Sequence, residues 1–180
     1  MAKKVLIIES SMRKNGNSTA LAAEFACGAG ESGNNVKVVK LAEKEIKFCR
    51  GCLACIRSNK CILQDDMAAM LPLLQEADAV AFASPVYYYS ICGQLKTFLD
   101  RSNPLFTAEY QFRDIYILLA AAENEPSAAE GAVKAVQGWV DCFEQARLAG
   151  VVFAGGVTGA GEVKEHAALQ QAYEMGKSIK

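Results

Sequence analysis

The sequence predicts an α/β fold, a three-layer sandwich in which five parallel strands lie in the order 2-1-3-4-5 between two layers of helices. Three observations predict it. Continuous apolar runs such as Val5-Leu6-Ile7-Ile8 read as strands buried on both faces. Helical segments alternate with those runs along the chain, the rhythm of a parallel sheet. No repeat or low-complexity linker interrupts the alternation, so residues 1–180 read as one domain.

Lys3–Ile8 forms the first strand and Asn17–Ser32 the first helix, which stops near Gly33. Val36–Leu41 gives the second strand through Val36, Val38, Val39 and Leu41. Glu43–Leu63 keeps neither period and reads as an irregular excursion. Asp65 and Asp66 open the next helix, since acidic residues favour its positive end, and it runs to about Ala77. Pro72 falls inside it and predicts a kink or a later start. Ala79–Ala83 is the third strand, followed by a Ser84–Ser90 loop and a helix from about Cys92 to Ser102. Arg113–Ala121, Ser127–Ala146, Leu148–Ala154 and Gly161–Ser178 complete the order as strand, helix, strand and helix. Ligands of such sheets sit beyond the carboxyl ends of the strands at the topological switch point, here between the first and third strands.

Composition excludes whole classes of function. With 52% hydrophobic and 22% charged residues, 180 residues suffice for a globular domain with a sizeable core. A net charge of −1, with no basic cluster interleaved with aromatics, argues against a nucleic-acid partner. No apolar run approaches a membrane span and the N-terminus lacks a signal-peptide core. The expected home is therefore the cytoplasm, with no membrane partner. Four of the seven cysteines crowd between Cys49 and Cys61, which in a reducing compartment reads as metal or redox chemistry rather than disulfides.

Chemistry concentrates in the loops that leave the first and third strands. Ser10-Ser11-Met12-Arg13-Lys14-Asn15-Gly16-Asn17-Ser18-Thr19 aims free amides and a positive helix end at one spot, with two hydroxyls and Arg13 added. Phosphate is the natural guest, and a plain capped turn is the alternative. Only Gly16 is present, so this is neither a Walker loop nor a Gly-x-Gly-x-x-Gly turn. Ser84-Pro85-Val86-Tyr87-Tyr88-Tyr89 offers a flat aromatic ligand a ring to stack on, unless the tyrosines cover the sheet end or a subunit contact. Lys96 and Asp100-Arg101 read as a solvated helix face and end. His166 reads as surface, Cys27, Cys92 and Cys142 as core residues, and Gly155–Gly161 as a flexible turn at the sheet edge.

The two loops resemble the signatures of NAD(P)H-dependent FMN reductases, in the flavodoxin-like superfamily. The first is similar to their Gly-Ser-Pro-Arg-x-x-Gly-Asn-Thr loop, with Ser10 in place of Gly and Met12 in place of Pro. The second continues through Gly93-Gln94-Leu95-Lys96-Thr97-Phe98-Leu99-Asp100-Arg101. The resemblance implies a flavodoxin-like fold and an FMN phosphate held at Ser11, Met12, Arg13, Asn17, Ser18 and Thr19. It implies a flavin ring along Pro85, Val86, Tyr87 and Tyr88, and a third contact at Ala121 and Ala122, where the usual Gly-rich form is missing.

Thiolates spaced as Cys49-x-x-Cys52-x-x-Cys55 and then Cys61 favour an Fe–S cluster or another thiophilic metal over zinc, whose knuckles lie farther apart. The spacing, with Cys61-Ile62-Leu63-Gln64-Asp65-Asp66-Met67 after it, resembles the cysteine motif of iron–sulfur flavoproteins. That resemblance implies a [4Fe–4S] cluster near FMN on Cys49, Cys52, Cys55 and Cys61. Unmetallated thiols are the alternative.

For function, the resemblance implies an enzyme that holds FMN, takes NAD(P)H as substrate and passes electrons to a flavin, quinone or other small acceptor. No side chain is needed as general acid or base. One alternative is an iron–sulfur electron carrier served by a redox protein. Another is a non-enzymatic flavodoxin-like binding protein. The resemblance further implies a homodimer or homotetramer with flavin near the subunit interface.

Overall fold

In the computed structural model, which describes residues 1–180, the strands are β1 (Lys4–Glu9), β2 (Asn35–Lys40), β3 (Ala79–Tyr87), β4 (Ser90–Ile91), β5 (Asp114–Ala120) and β6 (Arg147–Ala154). The helices are α1 (Asn17–Glu31), α2 (Ala54–Ser58), α3 (Met67–Glu76), α4 (Gly93–Arg101), α5 (Glu130–Val140) and α6 (Ala168–Lys177). Five strands are parallel in the order β2-β1-β3-β5-β6, the topology read from the sequence. The sheet has six strands rather than five, because β4 pairs antiparallel with the end of β3.

The extra strand has a physical cause. Pro85 lacks the amide that a central strand needs, so the sequence suggests that β3 stops before it. But β1 has already ended at Glu9, opposite Ala83. At Ser84 and Pro85, β3 pairs only with β5, so Pro85 lies opposite Ala120 without breaking a second ladder. The chain then reverses through Tyr88 and Tyr89, both at positive φ (48° and 61°), in a two-residue turn that Asn-Gly usually makes. Tyr89 rests on α5 at Gly131, where a Cβ would lie 2.1 Å from the Tyr89 carbonyl oxygen.

Alternation along the buried strands builds two cores. Leu6, Ile8, Val80 and Phe82 face α3, α4 and α5, with Phe98, Phe112, Phe143 and Trp139 filling the space. Val5, Ile7, Ala79, Ala81 and Ala83 face α1 and α6. The alanines of β3 make that second core thin, and two glycines let its helices touch. A Cβ on Gly28 would lie 2.0 Å from the Tyr173 carbonyl oxygen, and one on Gly176 would lie 2.1 Å from that of Phe25.

Other boundaries differ from the sequence reading. α3 starts at Met67, whose amide donates to Asp65 Oδ1 at 3.1 Å, and it accommodates Pro72. The helix expected over Ser127–Ala146 is a 3₁₀ turn at Pro126–Ala129 followed by the shorter α5. The last helix is also split, with a 3₁₀ turn at Glu162–Glu165 before α6. His166 lies in the break, half-buried, and its Nδ1 accepts from the Ala168 amide at 3.0 Å. Cys92 is buried as expected, but Cys27 and Cys142 are exposed. Cys27 misses the buried face of α1 formed by Leu21, Ala22, Phe25, Gly28 and Ala29, and Cys142 lies beyond the end of α5. No helix is long and apolar enough to cross a membrane.

The α1–α6 contact yields a paired prediction. Gly28→Ala drives a methyl group into backbone and destabilises the protein by about 1–3 kcal/mol. Gly30→Ala, in the same helix but facing open space, stabilises it by roughly 0.5–1 kcal/mol. Urea unfolding of the two variants gives shifts of opposite sign.

Candidate functional site

β1 ends at Glu9, and the chain turns through Ser10–Gly16 before α1 begins. Ser10 is buried, and its Oγ donates to the Ala83 carbonyl at 2.7 Å, tying the loop to β3. That bond gives the hydroxyl a partner at a position where the family pattern has glycine. Gly16 is needed for space: a Cβ there would lie 2.4 Å from Ser11 Oγ. Glycine also leaves α1 without a side-chain cap, and no acidic residue occupies its first turn. The amides of Asn17, Ser18 and Thr19 find no acceptor in the protein. Ser18 Oγ is buried and has no hydrogen-bond partner either. Buried donors left unpaired are rare in folded proteins, and each needs an explanation.

The start of α1 borders one cleft, at the switch point between β1 and β3. Ser11, Arg13, Gly16, Asn17 and Ser18 line it from the first loop, and Pro85, Val86 and Tyr87 from the end of β3. Ala120, Ala121 and Ala122 close it after β5, and Val157 and Thr158 after β6. The structure thus brings together most of the residues expected from the sequence. Three stand outside the lining. Met12 is largely exposed, Tyr88 is fully exposed at the hairpin tip, and Thr19 donates its Oγ1 to Glu9 Oε1 at 2.8 Å.

Gly16, Ala120, Val157 and Thr158 are the lining residues that sequence reasoning did not assign. The Gly155–Gly161 segment is no free edge turn. Asn17 Nδ2 donates to the carbonyls of Val157 (3.3 Å) and Gly159 (2.9 Å). Its Oδ1 accepts from the amides of Gly161 (3.0 Å) and Val163 (3.3 Å). Arg13 Nη1 adds a bond to the Thr158 carbonyl at 2.7 Å. The Asn17 side chain is therefore fully engaged in holding this loop across the cleft. Within the loop, the backbone amides of Gly159 and Thr158 hold the Glu162 carboxyl below the usual carboxylate range.

A second group of reactive side chains lies between β2 and α3. Gly51, Leu53 and Asn59 take positive φ (63°, 57° and 51°) and wind the chain around α2. Cys49, Cys52, Cys55 and Cys61 line one small pocket with Asn103, whose Nδ2 donates to Cys55 Sγ at 3.0 Å. No three His, Cys, Asp or Glu side chains in the chain converge closely enough to hold one metal ion. Around a single zinc the sulfurs lie about 2.3 Å from one centre. In a [4Fe–4S] cluster each thiolate takes a different iron, so the sulfurs stand farther apart.

Arg101 fastens this excursion. The sequence reads it as a solvated helix end, yet its side chain is only 1% exposed and that of Asp65 2%. Arg101 Nη1 donates to Asp65 Oδ2 and to the Lys47 carbonyl, both at 2.6 Å, and Nη2 donates to Asp65 Oδ1 at 3.0 Å. The Lys47 amide donates in turn to Asp65 Oδ2 at 3.0 Å. Arg101, followed by the amides of Lys47 and Met67, holds the Asp65 carboxyl below its usual range despite burial. Lys96 and Asp100 are solvent-exposed, as the sequence suggests, and form an ion pair at 2.6 Å.

A doubly wound parallel sheet with a cleft at its switch point defines a flavodoxin-like fold. The chain belongs to the NADPH-dependent FMN reductase family, whose model matches residues 3–176. It is 39% identical over 101 residues to an iron-sulfur flavoprotein of Archaeoglobus fulgidus, covering 56% of this chain and 46% of that one. An iron-sulfur flavoprotein of Methanosarcina thermophila is 23% identical over 177 residues, covering 98% and 93%. The chain spans about half the length of the first of these relatives. Among solved structures, the NAD(P)H:quinone oxidoreductase from Methanothermobacter marburgensis superposes with a TM-score of 0.77 at 18% identity, over 98% of this chain and 96% of that one.

The buried ion pair sets a pH-dependent prediction. Asp65→Asn leaves Arg101 buried without its counter-charge, and at pH 7 it destabilises the protein by about 3–5 kcal/mol. Because the folded-state pKa of Asp65 is depressed, its contribution is complete above the ordinary aspartate value near 4 and is lost as pH falls below it. Denaturant titrations at pH 7 and pH 3 check this: the gap between wild type and Asp65→Asn narrows at the lower pH.

Proposed function

We propose that the protein is an FMN-dependent oxidoreductase that takes electrons from NADH or NADPH and delivers them to a flavin, quinone or other small acceptor. The observation that carries this reading is the cradle at the start of α1. Ser18 Oγ and three helix amides are unpaired there, and a terminal phosphate satisfies all of them. Arg13 adds positive charge at the edge of the same cleft. When bound, FMN supplies a ring that accepts a hydride and passes electrons on. The chain anchors and orients that ring. Pro85, Val86 and Tyr87 offer it an apolar wall, which Ala120–Ala122 continue after the neighbouring strand β5, and the loop held by Asn17 lies across the same cleft. The proposed setting is the cytoplasm. The proposed assembly is a homodimer or homotetramer, which would cover the exposed Phe48, Leu53, Ile62, Tyr88 and Phe106.

A second reading is favoured by one specific observation: four thiols share a pocket. In that reading the protein is an iron–sulfur electron carrier in which Cys49, Cys52, Cys55 and Cys61 hold a [4Fe–4S] cluster and exchange electrons with a redox protein.

Two measurements test these readings. In a fluorescence titration, FMN binds far more tightly than riboflavin. Ser18→Ala weakens FMN by about one to two orders of magnitude, equivalent to roughly 1.5–3 kcal/mol for a hydrogen bond to a charged group. Equal affinity for FMN and riboflavin contradicts the cradle. Under anaerobic conditions, NADH or NADPH bleaches the bound flavin. If only dithionite bleaches it, the electron-carrier reading is preferred to the reductase reading.

A further inference from the structure

Arg101 has more donors than its partners use. Two bonds go to Asp65 and one to the Lys47 carbonyl, while Nε is buried and has no hydrogen-bond partner. A buried guanidinium N–H without an acceptor costs free energy comparable to a lost hydrogen bond, and more because it is charged. Cys61 lies near enough to act on the same guanidinium. The three bonds that are made join the two ends of the cysteine excursion, since Lys47 precedes Cys49 and Asp65 follows Cys61. Two residues further along, Asn103 donates to Cys55. The C-terminal end of α4 therefore touches the excursion at its base, its middle and its last cysteine.

We infer that Arg101 is a positioning residue for the thiol site: its fork closes the base of the loop on Asp65 and Lys47, and its unpaired Nε–H is offered to the sulfur of Cys61. Lysine cannot replace it. An ammonium on a flexible stem has no planar fork to bridge Asp65 and Lys47 while still reaching a third acceptor. This inference rests on the reading that the four cysteines act as one group. It does not require that the group be metallated.

The test uses the FMN-loaded protein, with flavin binding as the control for folding, because Arg101 does not line the flavin cleft. Arg101→Lys keeps FMN affinity within about twofold of wild type. Alkylation by N-ethylmaleimide, read site by site by mass spectrometry, rises at least tenfold at Cys55 and Cys61 and stays unchanged at the distant Cys27. Unchanged labelling at Cys55 and Cys61, or an equal rise at Cys27, overturns the inference. Anaerobic iron–sulfide reconstitution separates it from the cluster reading. If wild type takes up iron, Arg101→Lys takes up at least fivefold less, and equal uptake overturns the positioning role. If wild type takes up none, the cluster reading fails, and the labelling still decides the role of Arg101. Should Arg101→Lys not fold, the wild-type chain answers by ¹⁵N–¹H NMR. The Arg101 Nε–H resonance shifts in Cys61→Ser and not in Cys52→Ser, and a resonance indifferent to both refutes the assignment.

Discussion

A helix that begins inside the protein must find partners for its first amides, and α1 is given none. Ordinary sequences solve this with a Ser, Thr, Asp or Asn cap. Here Gly16 occupies the cap position, and Ser18 is buried beside it with an idle hydroxyl. Much of the surrounding structure supports that arrangement. Ser10 locks the loop to β3, the missing side chain of Gly16 makes room for Ser11, and Asn17 is diverted to hold the loop after β6. A capping side chain there would pair those donors and remove the proposed phosphate site.

The cleft and the thiol pocket are joined by one helix. At the start of α4, the Cys92 amide donates to Ser84 Oγ and its Sγ to the Ser10 carbonyl, which sets the root of the hairpin that carries Tyr87. At its end, Arg101 and Asn103 hold the cysteines. Nine helical residues rise about 13 Å, so the two sites share a short rigid mount. Their electrostatics differ. The cradle presents amide dipoles and Arg13 to an anion, whereas the thiol pocket is flanked by a buried, neutralised ion pair and an unspent guanidinium N–H.

Much of this was legible in the sequence because the signals were local. Apolar runs gave the parallel strands, and their order placed the Ser10–Thr19 and Ser84–Tyr89 loops at one switch point. The errors share a cause: they depend on partners distant in sequence. Arg101 looks solvated until Asp65 and Lys47 fold onto it. The Asn17 side chain gives no local sign that it holds the 157–163 loop, since its four partners arrive from beyond residue 156. Pro85 ends a strand by propensity, yet continues one where β1 has already stopped. The Tyr88-Tyr89 turn carries no sequence signal, since it uses two residues that rarely take positive φ.

The account turns on where the phosphate sits. A crystal structure of the FMN-loaded protein tests that most directly. It predicts a phosphate oxygen within hydrogen-bond distance of Ser18 Oγ and of the Asn17–Thr19 amides, with the Asn17 side chain still bound to the 157–163 loop. A phosphate lodged elsewhere, with Ser18 Oγ still unpartnered, would contradict it.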